Sequence, residues 1–264
     1  MDSILQLLRA THKSSVLVKN LTKVNKIKLL LRLADLLLEN QVKIIQENKK
    51  DLDKMQDSDP KNDRLLLNEN RINDLANSLH DIVKLDDPTN IIISDKTLEN
   101  GLHIQKITVP IGVVGVIYEA RPNVTIDVAA LCLFAGNAVV LRGGSDAEYT
   151  NIALVEIIHQ ALQENNIDTN VVQLLPVDRK FVTELLHAIK YVDIIIPRGS
   201  QQLIDFVREN SKVPTIETGA GVCHTYVESS ANLEDAVKIV INAKTQRPSV
   251  CNALDSILVD KKIA

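Results

Sequence analysis

Short runs of β-branched residues alternate with helix-length segments from residue 112 onward. The runs cover residues 112–117, 138–141, 171–175, 192–196 and 213–216, and the segments 126–135, 146–163, 179–189 and 201–209 lie between them. Runs rich in Val and Ile, without regular polar alternation, are typical of strands that are buried on both faces of a parallel sheet. The alternation therefore predicts an α/β fold with a doubly wound, mainly parallel sheet.

The first ninety residues follow a different pattern. Apolar residues recur every three or four positions from Asn25 to Met55 and again from about Leu66 to Leu85, and Pro60 and Pro88 interrupt the pattern. This spacing is that of amphipathic helices, with one or two helices in the first stretch. We expect a helical N-terminal region in front of the sheet.

Composition narrows the class of partner. The chain has 30 basic and 34 acidic residues, and its net charge of −4 provides no general attraction to nucleic acid or to anionic membranes. Aromatic residues make up only 3% of the sequence, so base-stacking surfaces are not expected. A small-molecule partner fits best. The chain shows no leader pattern and no bilayer-length apolar run, which predicts a cytoplasmic location.

Two glycine turns follow predicted strands. Each turn combines glycine, a hydroxyl and a cation at a predicted helix start. The first is Arg142-Gly143-Gly144-Ser145, and the second is Arg198-Gly199-Ser200. Such turns suit a phosphate group, although helix capping alone would also explain each of them. No Gly-x-Gly-x-x-Gly fingerprint is present, so a dinucleotide would have to be held differently.

The three cysteines have different surroundings. Cys251 lies in a polar stretch with Lys244 and Arg247, and nearby cations favour a reactive thiolate. Cys132 lies in an apolar helix pattern, where cysteine usually packs as a small hydrophobe. Cys223 precedes His224, but neighbours on a strand point to opposite faces, so packing is favoured over a catalytic pair. The cysteines and histidines show no paired ligand spacing, which predicts no metal site and no disulfide framework.

Asn123 follows the first predicted strand of the sheet, directly after a proline. Its amide could donate a hydrogen bond to an oxyanion, but composition alone favours a turn-forming role after proline. Lys244 and Arg247 could likewise bind a substrate phosphate or carboxylate, or be solvated surface cations.

Four segments occur in order along the chain: residues 109–125, 136–145, 196–200 and 242–252. They resemble the signature segments of the gamma-glutamyl phosphate reductases, which belong to the aldehyde dehydrogenase superfamily. The resemblance implies a Rossmann-like NADP-binding domain over residues 1–225 and the start of a catalytic domain over residues 226–264. Because that superfamily continues well past its cysteine, and this sequence ends thirteen residues after Cys251, we expect an incomplete catalytic domain.

The resemblance implies reduction of L-glutamyl 5-phosphate by NADPH to L-glutamate 5-semialdehyde with release of phosphate, a step of proline biosynthesis. Cys251 would be the nucleophile, and Asn123 would stabilise the oxyanion. The cofactor would be held by the two glycine turns, with Arg142 suited to the 2′-phosphate of NADP. The residues implied in cofactor binding are Arg142, Gly143, Gly144, Ser145, Gly199 and Ser200. A homo-oligomer is implied for the full-length enzyme.

Two alternatives stay open from the sequence. One is a hydrolytic aldehyde dehydrogenase that passes its thioester to water, since Glu217 falls near the position of that family's base. The other is a non-catalytic nucleotide-binding fragment.

Overall fold

The structure is a computed structural model that describes residues 3–56, 62–119, 121–217, 221–246, 248, 250 and 252–264. The chain divides into two compact units, Met1–Glu217 and Thr218–Ala264. The domain boundary predicted from the sequence, between residues 225 and 226, stays a prediction.

The N-terminal region is helical, as predicted. Two helices occupy the first predicted stretch, and side-chain caps define where the first of them and the helix of the second stretch begin. The Thr22 hydroxyl accepts a hydrogen bond from the N–H of Asn25, and the Asn68 side chain accepts one from the N–H of Arg71. The helices that the described residues form here are α1 (Leu5–Lys19), α2 (Lys23–Glu39), α3 (Gln41–Leu52), α4 (Asn62–Leu65) and α5 (Glu69–Ile82).

An antiparallel hairpin follows the helical region, and the sequence analysis did not predict it. Its strands are β1 (Ile92–Thr97) and β2 (His103–Ile107). The turn contains Asn100 and Gly101, and Gly101 has a φ of 84°. An Asn-Gly pair between two strand-like runs is a strong hairpin signal, and it was available in the sequence.

The central sheet is parallel and has the order β5-β4-β3-β6. Every residue of β3 is buried, as the β-branched runs predicted. The α/β expectation is confirmed. The strands are β3 (Val113–Tyr118), β4 (Ala138–Arg142), β5 (Val172–Leu174) and β6 (Ile194–Arg198), and the accompanying helices are α6 (Asn123–Phe134), α7 (Glu148–Glu164), α8 (Arg179–Leu186) and α9 (Gln201–Asn210).

The strand order creates a switch point. The chain runs from β3 to β4 to β5 in one direction and then returns to β6 on the other side of β3. Ligands of open α/β sheets bind beyond the carboxyl ends of the strands at such a reversal. A ligand site is therefore expected at the carboxyl ends of β3 and β6, next to the end of β4.

The fifth strand predicted from the sequence, at residues 213–216, does not form over that whole range. Thr215 forms only an isolated parallel bridge with Ile195. The carbonyl of Pro214 accepts a hydrogen bond from the N–H of Ile195, but a proline has no N–H to extend the ladder.

The second unit contains β7 (Cys223–Val227), α10 (Leu233–Thr245) and β8 (Leu254–Val259). The two strands pair in parallel, and α10 connects them as a crossover helix. None of the thirteen residues of α10 is buried in this structure.

No helix among the described residues combines the length and the apolar character needed to cross a bilayer.

Candidate functional site

The carboxyl edge of the central sheet brings the two predicted glycine turns to the end of β3. Arg142, the last residue of β4, pairs with Ile117 of β3, and Arg198, the last residue of β6, pairs with Tyr118. Since neighbouring strands lie about 4.8 Å apart, both turns leave the sheet next to the residues that follow β3. The sequence-predicted cofactor residues therefore share one edge of the sheet.

The turn after β6 is occupied by a carboxylate. Ser200 caps α9, and its hydroxyl accepts a 3.4 Å hydrogen bond from the N–H of Leu203. The Ser200 hydroxyl also donates to Glu119 Oε1 at 2.6 Å, and the Ser200 N–H donates to Oε2 at 3.1 Å. A Cβ on Gly199 would lie 2.6 Å from the Glu119 carboxyl carbon. A side chain at position 199 would therefore have to displace the Glu119 carboxylate, which takes the place of an anion at the helix N-terminus.

The turn after β4 is supported by a buried polar chain. The Tyr118 hydroxyl lies 2.6 Å from the Thr125 hydroxyl, which donates to Asn151 Oδ1 at 2.8 Å. All three residues are buried. A Cβ on Gly143 would lie 2.2 Å from Asn151 Nδ2, so only glycine allows this approach. This network of three hydrogen-bonded side chains joins β3, α6 and α7 next to the turn.

Arg142 extends from the end of β4 toward the loop after β5. Its Nη2 donates a 2.7 Å hydrogen bond to the carbonyl of Val177, whereas its Nε is buried and has no hydrogen-bond partner. Burial and, to a smaller extent, the positive charge of Arg179 hold the pKa of Arg142 below its usual range. Uncompensated cations of this kind favour an anionic ligand.

Gly144 and Ser145 begin a short 3-10 helix, Ser145–Ala147, in front of α7. Gly144 occupies the cap position, and no side chain caps this helix. Ser145 is exposed, and its hydroxyl makes no hydrogen bond within the described part of the chain.

Asn123 is the first residue of α6, and its side chain is half-buried. Its Nδ2 donates a 3.1 Å hydrogen bond to Asp127 Oδ2. Burial raises the pKa of Asp127, and hydrogen bonds from Asn123 and Ser78 only partly oppose that rise. A side-chain amide has two N–H donors, and the second one makes no hydrogen bond among the described residues. Asn123 is therefore anchored while it retains a donor.

The predicted residues of the second unit are described only in part. Cys251 and Arg247 lie outside the described residues. Lys244, in the last turn of α10, donates a 2.7 Å hydrogen bond from Nζ to the carbonyl of Leu254, the first residue of β8. This bond joins α10 to β8 and leaves two of the three ammonium donors for another partner.

The other cysteines have surroundings that suit packing. Cys132 contacts the hydrophobic core, and burial raises the pKa of its thiol to about 12, so the thiol stays protonated at neutral pH. Cys223 is half-buried and His224 exposed, in the alternation expected along a strand. The His224 ring Nδ1 lies 2.9 Å from the carbonyl of Val222.

Three residues of this edge were not singled out by the sequence analysis. Glu119 lies within the recognised segment, but only the fold brings it to the N-terminus of α9. Asn151 lies in α7, the helix that follows the Gly143 turn, and Arg179 lies in α8, which is remote in sequence from Arg142. A polar residue in the otherwise apolar face of α7 was the one available signal for Asn151.

Comparison with known proteins identifies the family. The model of the aldehyde dehydrogenase family matches residues 3–264, and the chain belongs to that family. Members of this family use NAD(P).

The most similar relatives carry a single name. A gamma-glutamyl phosphate reductase from Pelodictyon phaeoclathratiforme is 49% identical over 261 residues, which are 99% of this chain and 62% of that protein. The crystal structure of gamma-glutamyl phosphate reductase from Thermotoga maritima superposes with a TM-score of 0.91 at 40% identity and covers 99% of this chain and 64% of that one. The chain thus spans less than two thirds of the length of these relatives. The resemblance inferred from the sequence segments is confirmed.

A more distant structure shares the fold alone. The glyceraldehyde-3-phosphate dehydrogenase from Methanocaldococcus jannaschii, solved in complex with NADP, has a TM-score of 0.70 at 20% identity. It matches 98% of this chain and 55% of its own length.

Proposed function

We propose that this chain carries the coenzyme site and the nucleophile of an NADPH-dependent reductase that converts L-glutamyl 5-phosphate to L-glutamate 5-semialdehyde and phosphate in proline biosynthesis. The observation that carries the coenzyme part is the pair of glycine turns that flank the end of β3 at the switch point. The 49% identity to a protein named gamma-glutamyl phosphate reductase supports the substrate.

The coenzyme would be bound by the carboxyl edge of the sheet. The half-buried Arg142, with its unpartnered Nε, fits a phosphate group. The N–H and hydroxyl of Ser200, at the start of α9, fit the pyrophosphate, which would replace the Glu119 carboxylate as their acceptor. Gly143, Gly144, Ser145 and Gly199 would line the same edge.

The reaction would take place at Cys251. Its thiolate would attack the acyl carbon of the substrate, and the bond from that carbon to the phosphate oxygen would break to leave a thioester and inorganic phosphate. NADPH, when bound, supplies a hydride to the thioester carbon. The resulting thiohemiacetal would take up a proton and release the aldehyde, returning the sulfur to Cys251 as a thiol or thiolate.

Asn123 and the two cations would have separate roles. The free N–H of the Asn123 amide would stabilise the negative oxygen during thioester formation and reduction. Lys244 and Arg247 would hold the phosphate or the α-carboxylate of the substrate by charge-assisted hydrogen bonds. The proposal also includes a cytoplasmic location and a homo-oligomer of the full-length enzyme.

The reverse reaction provides the test. The protein is incubated with glutamate 5-semialdehyde, inorganic phosphate and NADP⁺, and NADPH is followed by its absorbance. We expect NADPH formation that requires phosphate and is abolished by Cys251→Ala, with Cys132→Ala as the matched control that retains activity. NADPH formation that does not depend on phosphate would support a hydrolytic aldehyde dehydrogenase instead. Binding of NADPH without any turnover, also in a full-length protein, would support a non-catalytic nucleotide-binding protein.

A further inference from the structure

We infer that Arg179 is a specificity-determining residue that, together with Arg142, binds the 2′-phosphate of NADP and so selects NADP over NAD. This inference rests on the proposed coenzyme site and assigns to it a second cation, from a different strand–helix connection. Neither the recognised sequence segments nor the family comparison names Arg179.

The geometry brings the two arginines to one place on the sheet edge. β4 and β5 are neighbours, and the N–H of Leu175, just after β5, donates to the carbonyl of Leu141, just before Arg142. The hydrogen bond from Arg142 Nη2 to the carbonyl of Val177 then holds the guanidinium against the loop that leads into α8. Arg179, the first residue of that helix, lies two positions further along the chain.

No acidic side chain neutralises this pair. Among the described residues, neither Arg142 nor Arg179 forms a salt bridge, and the pKa of Arg142 is lowered by burial and then by the charge of Arg179. The adjacent acid, Asp178, is already used. Its Oδ1 accepts a 3.0 Å hydrogen bond from the N–H of Lys180, and its Oδ2 lies 3.8 Å from Lys180 Nζ.

Two guanidinium groups without a counterion repel one another and leave a buried donor unsatisfied. A phosphate monoester, which carries close to two negative charges at neutral pH, relieves both costs by accepting hydrogen bonds from the two groups. The 2′-hydroxyl that NAD has at the same position carries no charge, so it cannot offset the repulsion between the two guanidinium groups. The arrangement therefore distinguishes the two coenzymes by charge.

Coenzyme binding tests the inference without requiring turnover. Dissociation constants for NADPH and NADH are measured by nucleotide fluorescence for the wild-type protein, Arg179→Gln and Arg179→Lys. Lys190→Gln is the matched control, because it removes an equal charge from an exposed lysine of the same unit that forms no salt bridge among the described residues. Adenosine 2′,5′-bisphosphate and adenosine 5′-monophosphate serve as competitors that differ only in the 2′-phosphate.

We expect Arg179→Gln to weaken NADPH and the bisphosphate roughly tenfold or more, as for loss of a charged hydrogen-bond partner, and to change NADH and the monophosphate less than about twofold. Arg179→Lys retains part of the preference, and Lys190→Gln leaves it intact. Equal weakening of both coenzymes, or no change, overturns the role of Arg179 while the proposed function stands. A wild-type protein that binds neither coenzyme overturns both proposals.

Discussion

At the residue scale, Glu119 shows how a side chain with no proposed role in the reaction can occupy part of the proposed coenzyme site. Its carboxylate accepts two hydrogen bonds from Ser200 and lies against Gly199, in space that a side chain at position 199 would occupy. An anion at a helix N-terminus is favourable by itself, but it competes with any phosphate that needs the same donors. The two donors of Ser200 are therefore satisfied within the protein.

Replacing Glu119 by Gln should tighten NADPH binding roughly threefold, since it removes a competing negative charge worth about 0.3–1 kcal/mol at a helix N-terminus. Titration of NADPH fluorescence at low and high salt measures the effect, which should shrink as salt rises. Glu209→Gln, at the exposed C-terminal end of the same helix, is the control. Weaker binding by Glu119→Gln would instead make the carboxylate a direct ligand of the coenzyme.

Lys26 is a second residue whose role depends on burial. Its side chain is 1% exposed, and Nζ lies 2.9 Å from Asp87 and 3.0 Å from the Thr89 hydroxyl. Burial by itself would raise the pKa of Asp87, but the hydrogen bonds from Lys26 and Thr89 outweigh it and leave that pKa below its ordinary value. The pair attaches α2 to the segment in front of the hairpin.

Lys26→Met should destabilise the first unit by about 3 kcal/mol, because Asp87 is left partly buried without its cation. Denaturant unfolding measures the loss, with the exposed Lys28→Met as control. The folded pKa of Asp87 is depressed, so its contribution to stability is complete above the unfolded pKa of about 4 and is lost as the pH falls through the lower folded pKa. A wild-type and a Lys26→Met protein of equal stability at neutral pH would contradict this account.

At the element scale, the buried hydrogen-bond network of Tyr118, Thr125 and Asn151 joins β3, α6 and α7. Thr125 lies two residues after Asn123 on α6, and Asn151 contacts the Gly143 turn from α7. Polar groups buried in this way are costly unless each has a partner. The network therefore links the position of the candidate oxyanion donor to that of the coenzyme turn.

Thr125→Val should cost about 1–3 kcal/mol, because Asn151 Oδ1 and the Tyr118 hydroxyl both lose their partner at nearly constant side-chain volume. The exposed Thr183→Val, on α8, should change the free energy of unfolding by less than about 0.5 kcal/mol. Thermal or denaturant unfolding compares the two. Equal and small losses in both variants would show that the network contributes little to stability.

At the scale of the whole molecule, the two units differ in how much they bury. The central sheet of the first unit has a strand with every residue buried, whereas α10 of the second unit has none. Helices without a buried face derive little stability from packing. Local opening should therefore be easier in the second unit.

Hydrogen exchange measured by mass spectrometry tests this difference on the 264-residue chain. Amides of β3 and β4 should exchange near the global unfolding limit, and those of α10 should exchange at least about tenfold faster. A full-length protein of the family is the comparison. Equal protection of α10 and β3 in the 264-residue chain would contradict the burial argument.

The sequence by itself determined the α/β class, the helical N-terminal region, the parallel strands and the two glycine turns. These features depend on periodicity, β-branched runs and turn residues, which act over a few neighbouring positions. It also located the family, because four segments occur together in order. The hairpin was missed although its Asn-Gly turn was visible, and the strand at residues 213–216 was overestimated because Pro214 was not weighed against the surrounding apolar residues.

Only the tertiary structure decided which distant residues meet at the edge of the sheet. The return of the chain to β6 brings Glu119 to Ser200, α7 brings Asn151 to Gly143, and the β4–β5 pairing brings Arg142 to the loop before Arg179. The Glu119–Ser200 contact and the approach of Arg142 to the loop before Arg179 join elements that are far apart in the chain and depend on the strand order, whereas the Asn151–Gly143 contact depends on how α7 folds back on the turn that precedes it. Long-range pairing and the burial that accompanies it, rather than residue type, decide which of these side chains share a site.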